Sequence, residues 1–236
     1  MAERQLLDGE YLEVKRQDQS SMWDGYRFGR PLLFNEWIED FNNYTAGDWT
    51  VTDVGANTQA LATAAPTVGG VLLITLANAD NNTTSMQKVG HSFVPTVGTN
   101  IWFEARLQMS EVTQSDFLVG LVVTDTTPLA NTDGIYFRKD DGDTQIDFET
   151  NASSVASTET NIGTFAAATY VRVGFKITGT TLVEYYVNDV LQGSFNTNIP
   201  AVPLRPTIHA QDGDTGGAVG AITMSVDYMA VSQTRI

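Results

Sequence analysis

Cysteine is absent from this chain of 236 residues, and histidine occurs only as His91 and His209. Without cysteine there are no disulfide bonds, thiolate nucleophiles or cysteine metal sites. Two histidines leave little material for a zinc centre, and no Gly-x-Ser-x-Gly nucleophile motif or phosphate-binding loop accompanies them. The sequence therefore gives no support to nucleophilic catalysis, and we expect both histidines to have structural or surface roles.

Positive charge is also scarce, with 13 Lys and Arg against 28 Asp and Glu and a net charge of -15. Binding to nucleic acid or to an anionic membrane surface requires a basic face, so we expect neither partner. No apolar run approaches the roughly 20 residues that span a bilayer. The polar stretch at residues 1–5 is not followed by a basic and then apolar signal segment, so we expect no export.

The apolar content is sufficient for a full core, with 42% hydrophobic and 10% aromatic residues. From about residue 36 onward, short apolar or alternating runs recur between turn residues, and no segment keeps a period of 3.6. Residues 100–110 alternate most plainly, and their inward set is predicted to be Ile101, Phe103, Ala105, Leu107 and Met109. This pattern predicts one all-β domain over residues 36–236, built as a sandwich or barrel.

Residues 1–35 differ in composition, with scattered aromatic residues, charges of both signs and no regular hydrophobic period. We predict an extended, irregular N-terminal arm. Its rings and cations are unlike those of an ordinary disordered terminus, and they favour docking on a partner by strand addition or groove filling. The residues expected to make that contact are Tyr11, Trp23, Tyr26, Arg27, Phe28 and Arg30.

Several segments, in order, resemble the concanavalin A-like lectin/glucanase superfamily, especially its laminin-G-like members. They are residues 37–41 (WIEDF), 47–51 (GDWTV), 103–107 (FEARL), 116–121 (DFLVGL), 170–173 (YVRV), 185–191 (YYVNDVL), 204–206 (LRP) and 226–231 (VDYMAV). In the hairpin at 185–191, Asp189 stands where the family usually has Gly. The resemblance implies an antiparallel jelly-roll β-sandwich, a fold shared by enzymes, lectins and structural modules.

The composition and organisation of the chain also resemble those of tailed-phage virion proteins, which combine cysteine-free, acidic, Thr/Asn/Gly-rich β-domains with an irregular leading arm. This similarity implies a capsid decoration or fibre protein, assembled in the host cytoplasm and located in the virion. The expected partner is the major capsid protein or another virion protein, and we expect a homo-oligomer.

Residues 144–150 (TQIDFET) resemble the β-glucanase motif Glu-Ile-Asp-x-(x)-Glu, whose first Glu is the nucleophile and whose last Glu is the acid/base. Gln145 occupies the nucleophile position, and an amide cannot form a glycosyl-enzyme ester. Asp147 and Glu149 share one strand face. The substitution counts against glycoside hydrolysis, and we predict no catalytic residue.

Two acidic loops carry the hard oxygen ligands that suit Ca²⁺. One contains Asp140, Asp141 and Asp143, and the other contains Asp212 and Asp214. EF-hand spacing is absent from both. Asp and Gly are also the usual residues of tight turns, so the turn interpretation is favoured over calcium binding, and no metal is required.

Sugar binding is a second hypothesis, because lectins of this superfamily stack a pyranose on an exposed aromatic ring. Trp102 lies on the polar face of its segment, and one of Tyr185 and Tyr186 must face outward in a regular strand. These three are the predicted glycan contacts. The alternative is that such outward rings are subunit contacts or are covered by the arm.

The leading hypothesis is thus a non-enzymatic virion protein that decorates or cements a capsid through residues 1–35. A carbohydrate-binding adhesion module is the alternative, and a glycoside hydrolase is the least favoured.

Overall fold

The structure is a computed structural model that describes Met22 and residues 33–63, 69–214 and 219–235. Regular structure in these residues is almost entirely β. Within them lie fifteen strands: β1 (Phe34–Glu39), β2 (Trp49–Val54), β3 (Thr58–Leu61), β4 (Leu72–Thr75), β5 (Thr83–Lys88), β6 (Asn100–Met109), β7 (Ser115–Val122), β8 (Gly134–Lys139), β9 (Gln145–Ala152), β10 (Val155–Thr164), β11 (Val171–Thr178), β12 (Leu182–Val187), β13 (Val190–Phe195), β14 (Arg205–Asp212) and β15 (Thr223–Thr234).

The strands form two antiparallel sheets. The eight-stranded sheet has the order β13-β12-β11-β6-β15-β4-β3, with β1 also paired to β15. The seven-stranded sheet has the order β10-β9-β8-β7-β14-β5-β2. Consecutive strands pair within one sheet in the runs β7–β10 and β11–β13, whereas the neighbours β6 and β15, and β7 and β14, are distant in sequence. The predicted all-β antiparallel jelly-roll sandwich is confirmed.

The core lies between the two sheets and follows the alternation of β6. Ile101, Phe103 and Leu107 are all buried in it, as a period of two predicts. The rings of Phe103 and Phe175 stack with their centroids 4.7 Å apart. Close packing of apolar side chains from both inner faces therefore joins the two sheets.

The outer face of each sheet carries a small apolar cluster of its own. On the eight-stranded sheet the cluster consists of Met22, Phe34, Trp102 and Tyr186. On the seven-stranded sheet it consists of Leu118, Val122 and Tyr136. The two outer faces are therefore partly covered, and neither is a simple solvated surface.

Residues 140–143 form the turn of a hairpin that joins β8 to β9. Residues 151–160 belong mainly to strand β10, which lies at the edge of the seven-stranded sheet. Strand β1 begins at Phe34, which is opposite Thr234, so the predicted boundary between residues 35 and 36 falls inside a strand.

Candidate functional site

Strand β9 carries the glucanase-like motif, and its polar residues lie on the outer face of the seven-stranded sheet. Ile146 and Phe148 point into the core. Gln145, Asp147 and Glu149 alternate with them and therefore share the opposite face. The sequence predicted this face correctly, because the alternation is regular through the motif.

The Glu149 carboxylate interacts with three neighbouring side chains. Tyr136, opposite it on β8, donates a hydrogen bond from its hydroxyl to Oε1 of Glu149. Thr158 Oγ1 donates to Oε2 at 3.2 Å, and the Arg138 guanidinium lies 3.7 Å from the same oxygen. Burial and the hydrogen bond to Glu149 raise the pKa of Tyr136 above its ordinary value. The Glu149 carboxylate therefore links side chains of β8 and β10 on the outer face of the sheet.

The other two motif positions are also occupied by local contacts. Gln145 Oε1 accepts a hydrogen bond from Thr164 Oγ1 at 3.3 Å. Asp147 accepts the backbone N–H of Asn161 at 2.8 Å, and burial raises the pKa of Asp147. Gln145 thus has an amide at the position of a glycosidase nucleophile. The two carboxylates of the motif, those of Asp147 and Glu149, both accept hydrogen bonds from strand β10.

The two loops predicted for calcium come together in the structure. A β-carbon added to Gly213 would lie 2.5 Å from Cγ of Asp141, so the loop after β14 packs directly on the β8–β9 turn. Asp116 Oδ1 accepts the backbone N–H of Asp141 at 2.7 Å. Among the described residues, no group of three His, Asp or Glu side chains is arranged to hold a metal ion.

The β8–β9 turn contains a cation of its own, the ammonium group of Lys139. This side chain is fully buried and donates to the carbonyl oxygens of Asp140 at 2.8 Å and Asp143 at 2.9 Å. Burial lowers the pKa of Lys139, whereas the nearby Asp116 carboxylate raises it. Sequence reasoning overlooked Lys139, although alternation from Ile135 and Phe137 places it on the inward side of β8.

The three predicted sugar-stacking residues do not present open rings. Trp102 is 0% exposed, Tyr185 2% and Tyr186 3%. The expectation that Tyr185 and Tyr186 face opposite sides is confirmed, since the first lies in the inter-sheet core and the second in the outer cluster. The expectation of an exposed ring at any of them is wrong, because Tyr185 packs between the sheets, while Trp102 and Tyr186 pack with Met22 and Phe34 in the outer cluster. Glycan binding itself stays a prediction.

The predicted arm contacts lie outside the described residues: Tyr11, Trp23, Tyr26, Arg27, Phe28 and Arg30. Met22 belongs to the same predicted arm and is described, as are residues 33–35, and it is buried at 5% exposure. A β-carbon on Gly174 would lie 2.4 Å from its sulfur. Because Gly174 has no side chain, the Met22 sulfur can occupy the space beside its α-carbon, which we call the Met22 seat. No local sequence pattern indicates this contact.

The histidines have the structural roles that the sequence predicts. His209 Nδ1 and Ser85 Oγ are 2.7 Å apart on adjacent strands β14 and β5. Burial lowers the pKa of His209 to about 4, so its ring is neutral at physiological pH. His91 packs beside Trp37 with ring centroids 6.2 Å apart.

A scan against protein-family models gives no match, and a search of curated proteins gives none either. Solved structures do match. The chain is similar to a Bacillus licheniformis β-glucanase, with a TM-score of 0.63, 17% identity and coverage of 83% of this chain and 97% of that one. It is also similar to an endo-1,3-β-glucanase from Streptomyces sioyaensis, with a TM-score of 0.62, 13% identity and coverage of 87% and 98%.

A third similar structure is the carbohydrate recognition domain of Emp47p, with a TM-score of 0.59, 12% identity and coverage of 86% and 98%. These likenesses show that the chain has a concanavalin A-like jelly-roll fold, which confirms the predicted resemblance at the level of fold. At such low identity they leave activity open. Within the described ranges, no helix is both long enough and apolar enough to cross a membrane.

Proposed function

We propose that this chain is a non-enzymatic structural protein of a phage virion that decorates or cements the capsid through residues 1–35. The observation that carries the non-enzymatic part is the state of strand β9. Gln145 cannot act as a nucleophile, and the Glu149 carboxylate is held by Tyr136, Thr158 and Arg138. A binding role for this fold does not require Gln145 or Glu149 to react.

The distribution of charge supports a docking role for the leading segment. Five of the 13 basic residues of this strongly acidic chain lie in residues 1–35: Arg4, Lys15, Arg16, Arg27 and Arg30. An acidic body is repelled by an acidic surface, whereas a nearly neutral segment that carries cations and aromatic rings is repelled far less. Symmetric assembly would then multiply a weak contact through avidity.

The test is occupancy on phage particles assembled with the full chain or with residues 1–32 removed. The cut leaves Leu33 in place, because its carbonyl accepts the N–H of Arg235, and it leaves β1 intact. We expect a folded, cooperatively melting body that is absent from purified particles. Reversing Arg27 and Arg30 to Glu in the full chain should weaken occupancy, while the same reversal at Lys176 on the body should not. Normal occupancy by the truncated chain would show that the arm does not dock.

Hydrolysis is tested directly with mixed-linkage β-glucan and an assay for reducing ends. We expect no product from the wild-type chain. We also expect none from Gln145→Glu, because restoring one carboxylate does not free Glu149 from its three partners. Product that appears with the wild type and disappears with Glu149→Gln would overturn the non-enzymatic proposal.

Carbohydrate binding is the second candidate, and it is favoured by the similarity to a carbohydrate recognition domain. Because Trp102 is buried, its replacement would test folding more than binding. Asp147, on the outer face of β9 and half-buried, is the better probe. Glycan-array binding that Asp147→Asn weakens would support a lectin role, and silence across a broad array would count against it.

A further inference from the structure

Strand β10 leaves one edge of the seven-stranded sheet unpaired. It is the last strand of that sheet, and among the described residues only β9 pairs with it. Residues 155–161 are exposed or half-buried. The strand is ten residues long and contains no Lys, Arg or Pro, residues that commonly protect a free edge. An edge of this kind is a template for pairing with another strand.

The side of the sandwich that contains β10 is almost free of charge. Strand β13 is the edge of the other sheet, and the chain after it lies beside β10, because Ser157 Oγ is 2.9 Å from Thr197 Oγ1 and accepts a hydrogen bond from Asn198 Nδ2 at 2.9 Å. Residues 155–164 and 190–200 together contain one charged side chain, Glu159, whereas 17% of the whole chain is charged. Copies of a chain with a net charge of -15 repel one another, and they do so least across an uncharged side.

The free hydrogen-bonding groups of β10 belong to Ala156 and Thr158. The β9–β10 hairpin turns through residues 153–154, both of positive φ, so Val155 and the opposite Ala152 form its first hydrogen-bonded pair. The bonding groups then alternate along the strand, and those of Ala156 and Thr158 point away from β9. No hydrogen bond from another described segment reaches these two backbones. The edge therefore offers two N–H and two C=O groups to an incoming strand.

We infer that two copies of this chain pair edge to edge through β10, antiparallel and with a two-fold axis at Ser157. The register of β10 on β9 is continuous from Val155 to Glu159 and shifts after it, so Ser157 is the centre of the regular run. Around that centre, Ala156 of one copy faces Thr158 of the other, and their outward groups form a symmetric ladder. Val155 faces Glu159, so the two like-charged carboxylates do not face each other.

The same pairing covers apolar surface that the single chain exposes. Val155 is 57% exposed, and Val190 and Leu191 at the start of β13 are 60% and 44% exposed. The β12–β13 hairpin lies beside β10, since a β-carbon on Gly163 would be 3.1 Å from Cγ1 of Val187. A second copy brings an equally uncharged and partly apolar side to this surface, whereas a charged strand would lose hydration there without gaining an ion pair.

Because the chain has no cysteine, a single introduced cysteine tests the register in the full-length protein. Ser157 faces its own copy in a non-hydrogen-bonded pair, where the α-carbons are about 4.5 Å apart, a distance that a disulfide spans. We expect Ser157→Cys to form a disulfide-linked dimer under mild oxidation. Val155→Cys is the matched control. Val155 is the more exposed residue, but four residues of strand place it roughly 14 Å from its own copy, so this variant should stay largely uncross-linked.

Sedimentation of the unmodified chain over a range of concentrations measures the dimer without a cross-link. We expect a mass twice that of one chain, and tighter association at higher salt, because salt screens the net negative charge. Ala156→Pro should be monomeric with the circular dichroism spectrum of the wild type, since it removes an outward N–H and leaves the bonds to β9 intact. Ala156→Thr keeps that N–H and should remain a dimer.

Three outcomes would each contradict the β10 dimer. They are a wild-type chain that stays monomeric at every concentration, a folded Ala156→Pro variant that still dimerises, and Val155→Cys cross-linking as fast as Ser157→Cys. If Ala156→Pro does not fold, the two cysteine variants decide. Pairing through β10 does not involve residues 1–35, so it can hold or fail independently of docking on a capsid.

Discussion

The sulfur of Met22 lies directly over Gly174, where a β-carbon would come within 2.4 Å of it. Trp102, Tyr186 and Phe34 complete the cluster on this outer face of the eight-stranded sheet. The segment proposed to dock on a partner is therefore fastened to its own domain at Met22. Fastening one point of the arm reduces the conformational entropy that the arm would lose on docking.

Filling the Met22 seat should destabilise the protein. A β-carbon on Gly174 would meet both the Met22 sulfur at 2.4 Å and the Phe103 carbonyl oxygen at 2.8 Å. We expect Gly174→Ala to lower the free energy of unfolding by about 1–3 kcal/mol. Urea denaturation measures this loss.

A double-mutant cycle separates the two contacts. Gly174→Ala should cost less in a Met22→Ala background, because the sulfur is no longer there to clash, and a coupling of at least about 0.5 kcal/mol is expected. Gly47→Ala is the control, since a β-carbon there has open space around it. Strict additivity of the two substitutions would show that Met22 does not occupy the seat in solution.

The buried His209 should make stability depend on pH. Its folded-state pKa is depressed to about 4, against about 6.5 for an unfolded histidine. The stability that the neutral ring contributes is complete above the unfolded-state value and is lost as pH falls through the folded-state value. Between about pH 7 and about pH 5 the loss amounts to about 2 kcal/mol, measured as the fall in the urea midpoint at constant m-value.

His209→Gln isolates this term, because glutamine can still bond to Ser85 but does not titrate. The variant should show a flatter pH dependence over the same interval, while His91→Gln should follow the wild type. The carboxyl groups of Asp116 and Asp147, whose pKa values are raised by burial, gain stability as pH falls and are present in every variant. An identical pH profile for wild type and His209→Gln would refute the prediction.

Removing the Lys139 ammonium should leave the carbonyls of Asp140 and Asp143 without their donor and the buried Asp116 carboxylate without its nearest cation. We expect Lys139→Met, which keeps the length of the side chain, to lower the free energy of unfolding by about 3 kcal/mol. Equilibrium urea unfolding provides the measurement. Lys176→Met on the partly exposed face of β11 should stay within about 0.5 kcal/mol of wild type. If both variants were equally stable, the ammonium would have no structural role.

The sequence predicts on which face of its strand each side chain of the site lies, because that depends only on alternation within one strand. Alternation in β9 places Gln145, Asp147 and Glu149 on one face, and the same rule places Lys139 with the inward residues of β8. What the alternation leaves open is the partner of each side chain. Trp102 is correctly assigned to the outer face of β6, but the alternation does not show that Trp102 is buried in a cluster with Met22 and Phe34, which come from distant parts of the chain.

By itself, the sequence determined the all-β class, the inward faces of the regular strands, the net negative charge and the absence of a nucleophile at Gln145, since each follows from residue identity or a period of two. Only the tertiary structure decided that Asp141 lies against Gly213 and that Met22 rests on Gly174. These contacts join segments far apart in the chain. They are set by the order of strands within two packed sheets, and no local periodicity encodes that order.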